Sequence, residues 1–95
     1  MDKRTEYVEK LSAEMVEWDI QIERLKEKAE NTTPEMRFEY ARTISGLQLK
    51  RDEAALKLQG ISTASGDEWE EMKSGTEQAW SEISNSLRDA IMKTK

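Results

Sequence analysis

Apolar residues recur along the first third of the chain in alternating steps of three and four, which is typical of one stripe on an α-helix. The stripe comprises Val8, Leu11, Met15, Trp18, Ile22, Leu25 and Ala29. Its mean step of 3.5 residues is that of a coiled-coil or bundle seam, and the residues between are mostly helix-favouring Glu, Lys, Arg and Gln. Because one helix cannot bury such a stripe alone, the pattern predicts a first helix over about residues 2–30 that packs against other helices.

A short interruption follows this helix. Thr33 is a favourable N-cap, Pro34 suits the first position of a helix, and a proline in a helix interior costs about 3 kcal/mol. The sequence therefore predicts a break at residues 31–33 and a second helix over about residues 34–60. The main stripe of that helix comprises Met36, Tyr40, Ile44, Leu47, Ala54 and Leu58. Arg51 interrupts it, and we interpret Arg51 as a register device or a snorkelling side chain that reaches a Glu on a neighbouring helix.

The second helix carries apolar residues on a second face as well. Phe38, Leu49 and Leu56 lie roughly 160° from the main stripe at 100° per residue. One seam cannot cover both faces, and exposed apolar patches commonly mark interaction sites. Ile20 faces away from the seam of the first helix and is assigned to the same surface. The sequence thus predicts an interaction surface made of Phe38, Leu49, Leu56 and Ile20.

A run of small residues separates the second helix from the third. Ser65 followed by Glu68 has the spacing of a capping box, and two glycines with several Ser and Thr indicate a loop. The pattern predicts a break near residues 61–66 and a third helix over about residues 66–94. The stripe of this helix comprises Trp69, Met72, Thr76, Ala79 or Trp80, Ile83, Leu87, and Ala90 or Ile91.

Three helical segments of similar length predict an all-α chain with a single coiled-coil domain over residues 1–95, folded as an antiparallel three-helix bundle. In that arrangement we expect Trp18, Gly46 and Trp80 to share one layer, with Gly46 leaving room for two indoles. The stripes of the first two segments also align on one continuous helix. The alternative is therefore a long helix kinked near Pro34 plus a C-terminal helix, a form that needs to dimerise to cover its seam.

The amino-acid composition excludes several classes of partner and activity. The chain has 15 Lys and Arg against 20 Asp and Glu, a net charge of −5, which argues against a nucleic-acid partner. It contains neither His nor Cys, and no Gly-rich phosphate loop is present. We therefore expect no enzymatic activity, no catalytic residues, no cofactor and no metal. No secretory signal or membrane-spanning apolar run is visible, so a cytoplasmic location is expected.

Part of the sequence resembles a known group of proteins. Residues 64–80 read ASGDEWEEMKSGTEQAW, which resembles a recurring segment, roughly ASGDxWxxxKxGxExAW, of small bacterial coiled-coil proteins of unknown function. The opening MDKRTEYVEKL and the run KRDEA at 50–54 resemble the same family. Such proteins are weakly similar to the exchangeable apolipoproteins through their amphipathic helices. The resemblance implies a helical coiled-coil fold and transfers no catalytic or binding residues.

Two functions fit these patterns. The first is a non-enzymatic structural or protein-interaction bundle that associates with itself or with a partner helix. The alternative is a protein whose amphipathic helices open and bind a lipid or membrane surface. Interfacial helices favour a basic polar face and a broad apolar one, whereas these stripes are narrow and the first and third segments are acidic. The pattern therefore favours protein–protein packing.

Overall fold

The computed structural model describes residues 2–93 and contains three helices in that range. They are α1 (Lys3–Glu30), α2 (Pro34–Thr63) and α3 (Glu68–Lys93). α2 packs along both α1 and α3, and these two helices approach each other over a smaller surface. The result is an elongated up-down-up bundle of 52 × 20 × 18 Å. The predicted three-helix bundle is confirmed, and the long kinked helix is wrong because α1 folds back along α2.

The first connection has the predicted position and chemistry. The Thr33 hydroxyl accepts a hydrogen bond from the Met36 N–H at 3.3 Å, and Pro34 occupies the first turn of α2. At the end of α1, the Asn31 N–H donates to the Lys28 carbonyl at 3.1 Å, and the Asn31 side chain donates to the Glu27 carbonyl at 3.0 Å. Local hydrogen bonding therefore satisfies groups that the helix ends leave unpaired.

The second connection lies later than predicted. α2 continues through Thr63, and α3 begins at Glu68 rather than near residue 66. The predicted break ignored Ile61, whose side chain is fully buried in the last turn of α2. Gly66, with φ of +49°, supplies the left-handed turn instead. The predicted end of α3 at Thr94 lies outside the described residues.

Gly60 does not terminate α2 but allows α3 to approach it closely. A Cβ atom at this position would lie 2.7 Å from Cε of Met72 on α3. Met72 itself was expected in the core, yet its side chain is 37% exposed because it lies across α2 at the rim of the bundle. Met36, at the start of the α2 stripe, is likewise exposed.

The start of the second connection is tied to α1. The Arg4 guanidinium donates a hydrogen bond to the carbonyl of Ala64, the C-cap residue of α2. Asp2 caps α1 and accepts from the Arg4 N–H at 3.2 Å. A single arginine in the first turn of α1 thereby joins the start of the chain to the α2–α3 turn.

The core runs the length of the bundle along the three seams. Its buried apolar residues are Leu11, Trp18, Ile22, Leu25, Ile44, Leu47, Ala54, Leu58, Ile61, Trp69, Ala79, Trp80, Ile83, Leu87 and Ala90. Val8, Met15, Tyr40 and Ile91 are partly buried and pack against this set. Thr76 is buried among them, and its hydroxyl donates to the Met72 carbonyl at 3.0 Å. The buried hydroxyl therefore costs little, since it is hydrogen-bonded.

Aromatic side chains join α1 to α3. The rings of Trp18 and Trp80 lie 4.7 Å apart at 51°, and the indole N–H of Trp80 donates to Glu14 at 3.1 Å. These two tryptophans share a layer, as expected. Gly46 does not make room for them, since a Cβ at this position would meet nothing within 4 Å. The expectation that Gly46 leaves room for two indoles is therefore wrong.

Candidate interaction surface

α2 packs extensively along both α1 and α3, yet it also presents an apolar face to solvent. Phe38, Leu49 and Leu56 are 69%, 72% and 68% exposed. The steps of eleven and seven residues between them return to within about 20° of one side, so they form a straight row about 27 Å long. We call these three residues the outer row. The buried residues of α2 lie on the opposite side of the helix.

The outer row is interleaved with small and charged residues. Ser45 lies within the row, between Phe38 and Leu49 along the helix. Arg42 and Glu53 are exposed and lie about 40° and 60° to one side of it at 100° per residue. Within residues 2–93, neither Arg42 nor Glu53 forms an ion pair. The row is therefore flanked by one acidic and one basic group that have no partner in the described part of the chain.

Ile20 does not belong to the outer row. It is 43% exposed and shares a shallow groove with Val16, which is 59% exposed, on the outward side of α1. The other residues that line this groove, Asp19, Glu23, Arg24 and Glu27, also belong to α1. Ile20 and Val16 therefore form a separate, smaller apolar patch surrounded by charged side chains.

Arg51 is held by an acidic residue of α1, as its position in the seam suggested. Its guanidinium forms two hydrogen bonds with the Asp19 carboxylate, at 2.9 and 3.1 Å, and a third with Asp52 at 3.4 Å. The partner is an Asp rather than the expected Glu. These contacts fix the level of α1 against α2, although a partly exposed pair of this kind contributes only about 0–1 kcal/mol.

Several side chains of residues 64–80, the segment with the predicted resemblance, pack against α1 or against each other. Trp69 and the Tyr7 ring of α1 lie 5.9 Å apart, and the Lys73 ammonium sits 4.8 Å and 5.1 Å from the centres of these two rings. Glu77 accepts a hydrogen bond from the Tyr7 hydroxyl at 3.5 Å. Burial, and then the nearby Glu77 carboxylate, raise the pKa of Tyr7 above its ordinary value. Trp69, Lys73, Glu77 and Trp80 thus all engage α1 or one another.

Sequence reasoning missed Tyr7, which lies beside the heptad stripe of α1. One signal was available: Tyr7 and Trp18 are eleven residues apart, as are Trp69 and Trp80. Two parallel helices with equal aromatic spacing bring both pairs into contact at once. The structure shows these two pairs, Tyr7 with Trp69 and Trp18 with Trp80.

The described residues contain neither a group of side chains placed to bind a metal ion nor a membrane-spanning helix. Among residues 2–93, no group of three or more Asp and Glu side chains is placed to hold a metal ion. Within the same range, no helix combines the length and the apolar character needed to cross a bilayer.

Comparison of the chain with protein-family models, with curated proteins and with solved structures finds no match. The resemblance to small bacterial coiled-coil proteins accordingly stays a prediction drawn from residues 64–80. Function is inferred from the chain's own geometry.

Proposed function

We propose that this chain is a non-enzymatic structural or protein-interaction bundle that associates with itself through the outer row of α2. The observation that supports the proposal is the exposure of Phe38, Leu49 and Leu56 on a helix whose opposite face is already buried. These three side chains contribute nothing to the core of a single chain. Exposed apolar patches mark protein or membrane interaction sites, and the net negative charge of this chain favours a protein surface as the partner.

The size of the row indicates a weak association. Burying one large apolar side chain contributes about 1.5–3 kcal/mol, so six of them in a symmetric contact contribute roughly 9–18 kcal/mol before costs. Association itself costs about 4–15 kcal/mol in lost motion. At the middle of both ranges the gain exceeds the cost by only a few kcal/mol, so we expect a weak complex with a dissociation constant of roughly micromolar to millimolar rather than an obligate dimer.

A non-enzymatic function is supported by the composition and by the use of the polar groups that the structure describes. The sequence offers no imidazole or thiol for general-base or nucleophilic chemistry. Arg51, the charged residue in the α1–α2 seam, is paired with Asp19. Lys73 lies over two aromatic rings. These side chains stabilise helix packing, whereas the residues of the outer row are exposed and lie away from the core.

The test is the triple variant Phe38→Glu, Leu49→Lys and Leu56→Glu, with molar mass measured by sedimentation equilibrium over a range of concentrations. We expect the variant to stay monomeric where the parent associates, with an unchanged helical circular dichroism signal and an equally cooperative melt. The matched control is Val16→Lys with Ile20→Glu on α1, which removes exposed apolar surface of another helix and should leave association intact.

Two results would contradict the proposal. If the triple variant unfolds, the outer row belongs to the core rather than to an interface. If it associates as the parent does, the row has no role in assembly. A parent that stays monomeric yet co-sediments with neutral or anionic vesicles would favour the lipid-surface function instead, and quenching of the buried Trp18 and Trp80 would report the opening of the bundle.

A further inference from the structure

We infer that the occupant of the outer row is a second copy of this chain, docked antiparallel so that the two α2 helices are related by a two-fold axis level with Leu47. The inference rests on the proposed function, which is self-association through this row, and adds the orientation and register of the two copies. Two features support it, and both place the two-fold axis at the level of Leu47. They are the order of large and small residues along the row and the signs of the flanking charges.

The order of residues along the row is self-complementary about Leu47. In an antiparallel two-fold contact, residues equally far before and after the axis lie opposite each other. Phe38 and Leu56 are each nine residues from Leu47, so each faces the other across the interface. Leu49 lies opposite Ser45 of the second copy, both two residues from the axis. A large side chain therefore meets a small one where the helices are closest.

The charges beside the row fix the same arrangement. A two-fold axis perpendicular to the helices brings one side of the row against the same side in the second copy. Arg42 and Glu53 are on one side, five residues before and six residues after Leu47. Arg42 of each chain thus lies within one residue of the level of Glu53 of the other. Both groups lack an ion-pair partner within residues 2–93, and the contact supplies one for each.

A parallel contact through the same row leaves these charges unpaired. Its two-fold axis runs along the helices, so Arg42 and Glu53 of one copy lie on the opposite flank of the contact from those of the other. A parallel dimer therefore supplies neither group with a partner. It also stacks Phe38 on Phe38 and Leu49 on Leu49 with Ser45 facing Ser45, so large residues meet large and small meet small. The antiparallel arrangement is therefore the one that the row and its charges both favour.

Charge reversal tests the pairing. Arg42→Glu alone, or Glu53→Arg alone, places like charges at both symmetric pairs, and we expect each to raise the dimer dissociation constant about tenfold at low salt. The double variant with both changes should return to within about twofold of the parent, because it restores both pairs in reversed order. Arg24→Glu and Glu27→Arg on α1 are matched controls for net charge and should have little effect.

A spin-label distance tests the orientation independently. The sequence has no cysteine, so Gln59→Cys gives one labelled site per chain, on exposed α2 surface twelve residues from the axis. In the antiparallel dimer the two labels are separated by about 36 Å along the helix, from 24 residues at a rise of 1.5 Å. In a parallel dimer they are about 10 Å apart, the distance between packed helix axes.

The outcomes separate the inference from the proposed function. A label distance near 10 Å, or single charge reversals that leave the dissociation constant unchanged, overturns the antiparallel register while leaving self-association through the row intact. A parent chain that is monomeric at every concentration overturns both. A distance near 36 Å together with recovery in the double reversal supports the geometry inferred here.

Discussion

Replacing the four glycines by alanine, three of them in helices and Gly66 in the α2–α3 turn, tests the packing at four points of the chain. A glycine in a helix interior destabilises the fold by roughly 0.5–1 kcal/mol relative to alanine, because it loses more backbone freedom on folding. A Cβ at Gly46 or at Gly75 would meet no atom within 4 Å. Both positions lie within helices. We therefore expect Gly46→Ala and Gly75→Ala each to raise the free energy of unfolding by about 1 kcal/mol.

The same substitution should behave differently at the other two glycines. At Gly60 the new Cβ would lie 2.7 Å from Met72 Cε, so Met72 must move and the gain in helix propensity is offset. At Gly66, where φ is +49°, alanine is strained in the left-handed region and should destabilise the fold. Gly46 and Gly75 thus serve as matched controls for Gly60 and Gly66.

Thermal melting followed by circular dichroism, at concentrations below association, measures these differences. A change of 1 kcal/mol shifts the melting temperature of a domain of this size by about 4–8 °C. We expect upward shifts of this order for Gly46→Ala and Gly75→Ala, a small shift of either sign for Gly60→Ala, and a downward shift for Gly66→Ala. A lower melting temperature for Gly46→Ala would contradict the open space around position 46. It would indicate instead that Gly46 packs tightly against Trp18 and Trp80.

Three further predictions concern the ends of the bundle and its titration. Ile61→Ala should lower the free energy of unfolding, measured in urea, by about 2–5 kcal/mol because Ile61 is fully buried. Leu56→Ala, five residues earlier on the exposed face, should change the stability of the monomer little, and equal effects of the two substitutions would contradict the burial of Ile61. Arg4→Met should destabilise the fold by about 1 kcal/mol and speed hydrogen exchange near Ala64, whose carbonyl it leaves unpaired; unchanged exchange there would count against this tie. The pKa of Tyr7 is raised in the folded state, so the stabilising effect of its neutral hydroxyl is complete below the unfolded pKa of about 10 and is lost as pH rises through the folded value. The free energy of unfolding of the parent should therefore fall above about pH 10 relative to that of Tyr7→Phe. Parallel pH profiles of stability for the two proteins would contradict this.

Local chemistry made the first connection predictable. The Thr33 cap and the fixed backbone of Pro34 act through neighbours in sequence, so the break at residues 31–33 is visible without knowledge of the fold. The second connection depends on tertiary contacts. Gly60 resembles a helix terminator in the sequence, but the burial of Ile61 extends α2 by a further turn, and the close approach of Met72 gives Gly60 a different role.

The outer row was predictable because a helical wheel depends only on residue spacing. The assignment of Ile20 to the same surface was not, since it required the relative placement of two helices, and the structure puts Ile20 with Val16 on α1. Arg51 shows the same limit. Its position in the seam indicates a partner on another helix, but the choice of Asp19 depends on the level at which α1 and α2 meet.

The molar mass of the parent chain as a function of concentration tests the central claim most directly. Light scattering or sedimentation should give 11.0 kDa when the chain is dilute and rise towards twice that mass as the concentration increases from micromolar to millimolar. The Phe38→Glu, Leu49→Lys, Leu56→Glu variant should stay at the monomer mass throughout while retaining its helical signal. A parent mass that stays at 11.0 kDa up to millimolar concentration would contradict self-association through the outer row.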